Sequence, residues 1–72
     1  MSSQEEREIL DYLKTMPESF VSPREICRRA AGKQRWDEDQ RWALPYLSRL
    51  LAQGAIEMDQ AGHYRIVGRK LL

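Results

Sequence analysis

This 72-residue chain has few of the residues from which small proteins build disulfides, metal sites and catalytic centres. A single cysteine excludes an internal disulfide, so a cytoplasmic location is expected. With a single histidine, neither a Cys/His metal cluster nor a Ser–His or Cys–His catalytic arrangement can be argued. The sequence also lacks a glycine-rich phosphate loop. We therefore expect a protein that is not an enzyme and that needs no cofactor and no metal.

Long apolar segments are missing as well. No apolar run approaches the ~20 residues that a membrane helix needs, and the N-terminus lacks the basic-then-apolar order of a signal peptide. Hydrophobic residues make up 42% of the chain and charged residues 32%, a mixture typical of a globular domain and unlike a disordered chain. We expect one domain over residues 1–72, with an ordered core over about 3–67, a loose tail over 68–72 and no membrane partner.

The net charge of +1 conceals an asymmetry along the chain. Residues 1–21 carry five acidic and two basic side chains, which gives −3. Residues 22–72 carry ten basic and six acidic side chains, which gives +4. This basic part favours an anionic partner, although dedicated DNA-binding domains are often far more basic.

Capping signals predict two helices in the first half of the chain. Ser3 and Glu6 have the spacing of a capping box, which predicts a helix over about 3–16. The segment Ser22-Pro23-Arg24-Glu25 predicts a second helix over about 23–31, with serine as N-cap and proline in the first helical position. Between them, Phe20-Val21 is expected to form a short edge strand that pairs with a hairpin strand.

The third predicted helix is marked by Leu47, Leu50 and Leu51, which form one apolar stripe at helical period. Gly54 is expected to end it in the left-handed conformation. Its start stays open, because Pro45 fits either a kink in a helix from about Asp37 or the first turn of a helix from about Leu44.

Two other features belong to this region. Residues 33–36 are expected to form a connection, and Asp37 or Asp39 could cap the third helix. After Gly54, residues 55–58 and 63–67 have the pattern of two strands joined by a four-residue hairpin loop.

The order helix, short strand, helix, helix, hairpin resembles the winged helix-turn-helix family over about residues 3–67. The most specific match is the segment LSRLLAQGAI, residues 47–56, a leucine-striped helix end followed by glycine and a strand. The predicted fold class is therefore α+β, a small winged helix-turn-helix with three helices, a short strand after the first and a C-terminal β-hairpin wing. The resemblance leaves function open, because this fold serves both DNA recognition and protein contact.

In that family the third helix normally enters the major groove and the wing reaches the flanking backbone. The resemblance thus implies binding to duplex DNA, as by a transcription regulator that pairs as a homodimer. Arg49 lies roughly opposite Leu47 on the helix, so it can point outward and grip a guanine or a phosphate. The residues implied to contact DNA are Lys33, Arg35, Arg41, Ser48, Arg49, His63 and Arg65.

The alternative is a protein-interaction module without DNA binding. The run Asp37-Glu38-Asp39 would repel phosphates, and Pro45 and Ala52 read no hydrogen-bonding base edge. Exposed aromatic side chains could instead anchor a protein partner, although burial in the core is favoured for them. The residues in question are Trp36, Trp42 and Tyr46. Cys27 likewise has two interpretations, an activated thiol or, preferred, a packing residue.

Overall fold

A computed structural model of the chain describes residues 3–67. Over that range, four helices are followed by a two-stranded antiparallel hairpin. The elements are α1 (Gln4–Lys14), α2 (Pro23–Arg29), α3 (Lys33–Glu38), α4 (Leu44–Gln53), β1 (Ile56–Met58) and β2 (Tyr64–Ile66). The predicted α+β class with a hairpin after the last helix is confirmed, but the described residues form four helices rather than three.

Both predicted capping signals start helices where expected. The Ser3 hydroxyl accepts a hydrogen bond from the Glu6 backbone N–H at 3.1 Å, and the Ser22 hydroxyl accepts one from Glu25 at 3.1 Å. Each bond satisfies one of the N–H groups that have no intrahelical partner in a first turn. Each helix ends two residues earlier than the sequence suggested.

The segment predicted as a connection, residues 33–36, is instead the first part of α3. Gly32, with φ of 109°, stands directly before it. This positive φ is a conformation that glycine adopts without strain, so the chain can turn sharply here and start a new helix. The sequence has no side-chain cap at this position, so no local signal predicts the short helix.

The start of α4 resolves the position of Pro45. The helix begins at Leu44 with Pro45 in its first turn, where the missing N–H of proline costs nothing. The predicted caps are wrong: Ala43 is the N-cap and offers no side-chain hydrogen bond. The Asp39 carboxylate accepts from the Arg41 backbone N–H at 3.0 Å and thus organises the turn before α4.

Gly54 ends α4 as predicted and directs the chain into the hairpin. Its φ of 80° is left-handed, and its N–H donates to the Leu51 carbonyl at 3.1 Å. β1 and β2 then pair in the register Ile56 with Ile66. Val21 pairs with Tyr64 through backbone bonds of 2.7 and 2.8 Å, which confirms that the short extended segment joins the hairpin.

The core lies where α1, α2, α4 and β1 meet. Its most buried large side chains have at most 2% of their surface exposed: Ile9, Leu13, Ile26, Leu47, Leu50 and Ile56. The leucine stripe of α4 therefore faces inward, and its opposite face is left to solvent. Within residues 3–67 no helix has the length and apolar character needed to cross a membrane.

Candidate nucleic-acid interface

The outward face of α4 carries two of the seven predicted DNA contacts, Ser48 and Arg49. Pro45, Ser48, Arg49 and Ala52 are all exposed, while Leu47 on the opposite side is buried. Helical periodicity produces this division, because residues three and four apart share a face. We call these four exposed residues the α4 face. It combines one long cation with small side chains.

Arg49 is tied to the first helix. Its Nη1 lies 3.7 Å from Oε2 of Glu6, and the side chains of Arg49 and Glu6 are 66% and 5% exposed respectively. The guanidinium also lies over the Tyr46 ring, 5.8 Å from its centroid. Arg49 is thus accessible to a ligand but already has an anionic partner within the protein.

Arg35 lies on α3, outside the α4 face. Its guanidinium is 3.5 Å from the Glu5 carboxylate and 3.4 Å from the Glu8 carboxylate, and it lies 5.0 Å from the Trp42 ring centroid. These contacts join α3 to α1 across the surface of the core. Arg35 therefore has a complete structural role beside its predicted role in DNA binding.

The predicted wing residues are also engaged within the protein. Arg65 donates from Nε and Nη2 to the Glu57 carboxylate at 2.9 and 2.6 Å, and it stacks 4.3 Å from the centroid of the Phe20 ring. The Asp59 carboxylate accepts from the backbone N–H of His63 at 2.9 Å, which shapes the hairpin loop. The His63 side chain is half-exposed.

The remaining predicted cations differ in how free they are. Lys33 lies 3.6 Å from Asp37 one turn along α3, in a pair exposed to solvent. Arg41 is exposed in the turn before α4. Within residues 3–67, the cations that form no ion pair are Arg7, Lys14, Arg24, Arg28 and Arg41. Arg24 and Arg28, both on α2, are not among the contacts predicted from the sequence.

The aromatic residues do not form one exposed ridge. Trp42 is only 6% exposed, and its indole N–H donates to the backbone carbonyl of Cys27 at 2.6 Å. Tyr46 is half-buried, with its ring centroid 6.4 Å from that of Trp42. Trp36 is half-buried at the edge of the core. Of the three, Tyr46 and Trp36 keep surface that a partner can reach.

Cys27 is a packing residue with 1% of its surface exposed. Burial raises the pKa of its thiol by disfavouring the charged thiolate, and the nearby Asp39 carboxylate raises it further, while a hydrogen bond with the Ala43 backbone opposes the rise. The neighbouring arginines on α2 do not reverse this shift. The thiol therefore lacks the accessible thiolate character that a nucleophile requires.

The chemistry of the candidate interface consists of guanidinium, hydroxyl and small apolar groups on a rigid helix, followed by a hairpin. The part of the chain that the structure describes holds no group of three histidine, cysteine or carboxylate side chains placed to bind a metal ion. Comparison with protein-family models, with curated proteins and with solved structures finds no match for this chain.

Proposed function

We propose that this protein is a DNA-binding winged helix-turn-helix domain that places the α4 face in the major groove and the hairpin beside the flanking backbone. The observation that carries the proposal is the uncovered α4 face, with Arg41 before it and the hairpin directly after it. A ten-residue helix is about 15 Å long, and the major groove, about 12 Å wide, admits a helix.

The small residues of the α4 face suit close approach to base edges. Ser48 carries a hydroxyl that can donate to or accept from a base, and the Ala52 methyl group can contact the methyl group of thymine. Arg49 is the one long side chain on this face, and its guanidinium can grip guanine or a phosphate with two hydrogen bonds. A face of this kind can approach the bases closely and offers one hydroxyl and one guanidinium. It therefore suits recognition of a short DNA sequence.

The acidic run is a weaker obstacle than the sequence suggested. Asp37 and Glu38 belong to α3 rather than to the first turn of α4. Asp39 is occupied in the turn before α4, where its carboxylate accepts from the backbone of Arg41. No carboxylate lies among the four residues of the α4 face.

Titration of isotope-labelled protein with random duplex DNA tests the proposal. Amide shifts should concentrate on α4 and the hairpin at 50 mM salt and diminish at 200 mM. If Arg41, Arg49 and one further cation neutralise phosphates, log K should fall with log salt at a slope of about −2 to −3. Arg49→Gln should weaken binding and, if Arg49 meets only phosphate, reduce the slope by about one.

Arg7→Gln is the matched control, because Arg7 is an exposed arginine on α1 that forms no ion pair within residues 3–67. This variant should bind duplex DNA as the native protein does. Amide shifts within noise at 50 mM salt would rule out the proposal. So would equal losses in the Arg49 and Arg7 variants, since a diffuse charge effect needs no α4 face.

A second candidate, a protein-interaction module, is favoured by one observation. Arg35, Arg49 and Arg65 are all paired with carboxylates of the same chain, which leaves a less cationic surface than the sequence suggests. In that case duplex DNA should not bind, Arg49→Gln should have no effect on partner binding, and Tyr46→Ala should remove the contact. Sedimentation of the purified chain would show whether the partner is a second copy.

A further inference from the structure

A second surface of the protein lies between α2 and α3 and includes no residue of α4. Arg28, Arg29, Lys33, Trp36 and Asp37 line an open cleft of about 420 Å³, which we call the α2–α3 cleft. Its size falls in the range of small-molecule sites, about 300–1,000 Å³. The proposed function assigns no DNA contact to any of these five residues, so the cleft requires its own explanation.

The cleft contains more positive than negative charge. Three cations line it against one carboxylate. Arg29 is paired at 2.5 Å with Glu25, which lies outside the lining, and Lys33 lies 3.6 Å from Asp37. Both pairs are exposed and therefore weak, and Arg28 forms no ion pair within residues 3–67. The cleft is thus able to attract an anion.

Trp36 and Asp37 determine what kind of anion fits best. The half-buried Trp36 packs against the core and also lines the cleft. An indole is a planar ring of the kind on which nucleobases stack. The Asp37 carboxylate would repel a densely charged ligand such as a polyphosphate or an acidic peptide. It can, however, accept a hydrogen bond from the amino group of a nucleobase. A ligand with one planar base for each phosphate, as in a nucleic-acid strand, matches an aromatic ring beside cations and a single carboxylate.

We infer that the α2–α3 cleft binds a segment of single-stranded nucleic acid. One base stacks on Trp36, and the adjoining phosphates contact Arg28 and Lys33. A positively charged groove beside an aromatic ring is the usual construction of single-strand binding sites. Because the cleft is open, the strand can continue beyond it on both sides. This inference goes beyond the proposed function and does not depend on it.

The full chain should be titrated into a fluorescently labelled ten-nucleotide deoxycytidine oligomer, with anisotropy as the readout. Trp36→Leu keeps an apolar side chain but removes the ring, and it should weaken binding by about 5- to 150-fold. The double variant Arg28→Gln, Lys33→Gln should make the salt slope shallower by about 1.4, since each phosphate on a single strand contributes about 0.7.

The matched control is the double variant Arg7→Gln, Lys14→Gln. It also removes one arginine and one lysine, both exposed on α1 and outside the cleft. The control should bind like the native protein. Equal losses in the two double variants would overturn the inference, because they would show diffuse charge attraction. Full displacement of the oligomer by tripolyphosphate or by hexaglutamate at equal charge would also overturn it.

If Trp36→Leu does not fold, intrinsic tryptophan fluorescence of the native protein tests the stacking on Trp36 instead. In the native protein, stacking should quench the emission of Trp36 on titration with the unlabelled oligomer, while the buried Trp42 contributes a constant background. Binding without quenching would overturn the stacking assignment. Arg49→Gln should leave oligomer binding unchanged, so failure of this inference is distinguishable from failure of duplex binding through the α4 face.

Discussion

Trp42 should stabilise the protein through burial of its ring and through one buried hydrogen bond at the end of α2. The last carbonyls of a helix have no partner within the helix, and Cys27 supplies one of them because α2 ends at Arg29. The Trp42 indole N–H donates to that carbonyl at 2.6 Å, and both residues are buried. Trp42→Phe removes the donor and keeps an aromatic ring, so the lost hydrogen bond is the larger part of its effect.

The cost can be worked from two contributions. A buried carbonyl left without a donor costs about 1–3 kcal/mol. The smaller ring leaves space in the core and adds about 1 kcal/mol. The expected loss of about 2–4 kcal/mol is large for this chain, since a domain of 72 residues has roughly 4–11 kcal/mol of stability. At about 4–8 °C for each kcal/mol, the melting temperature should fall by roughly 8–30 °C.

Urea unfolding followed by circular dichroism measures this loss, with Trp36→Phe as the control. Trp36 is half-buried, and within residues 3–67 its indole donates no hydrogen bond, so its replacement should cost less than about 1 kcal/mol. Equal losses of stability in the two variants would refute the role of the Trp42 hydrogen bond. Melting of Trp42→Phe within a few degrees of the native protein would refute it as well.

Two further stability predictions concern Leu50 and Cys27. Leu50 is 1% exposed, so Leu50→Ala should cost about 2–5 kcal/mol in urea unfolding, and Leu51→Ala, at a half-buried position, should cost less. Near-native melting of Leu50→Ala would contradict the inward orientation of the stripe. Because burial raises the pKa of the Cys27 thiol, the unfolded chain loses this proton first as pH rises. The stability from this group is therefore complete below the ordinary thiol pKa and declines above it, and Cys27→Ala should flatten melting temperature against pH in the alkaline range. An unchanged pH profile in that variant would refute the assignment.

Local signals explain why much of the fold was predictable from the sequence. Ser3 and Ser22 start helices through bonds to residues three positions on, and Gly54 ends α4 through its own backbone conformation. Each signal acts over one helical turn, so it can be recognised without the rest of the structure. α3 has no side-chain cap and only six residues, and it depends on Gly32 and on packing against its neighbours.

The candidate sites were less predictable, for a different reason. The sequence identifies Arg35, Arg49 and Arg65 as cations but not their partners. The carboxylates that meet the first two come from α1, far away in the chain, and that of Arg65 comes from the opposing strand. The α2–α3 cleft likewise exists only because residues 33–36 form a helix, which no local signal in the sequence indicated.

The ion pair between Arg49 and Glu6 links α1 to the α4 face, although no residue of α1 belongs to that face. Only 5% of the Glu6 side chain is exposed, and an anion that captures Arg49 would leave the Glu6 carboxylate without its counter-charge. Leaving a buried charge unpaired is costly. The net free energy of binding at Arg49 is therefore the attraction between Arg49 and the ligand minus the lost attraction between Arg49 and Glu6. A weakly held anion would not displace Glu6, whereas a well-positioned phosphate or guanine can. Under the proposed function, Glu6 therefore competes with DNA for Arg49, and only a contact stronger than this ion pair would engage the arginine.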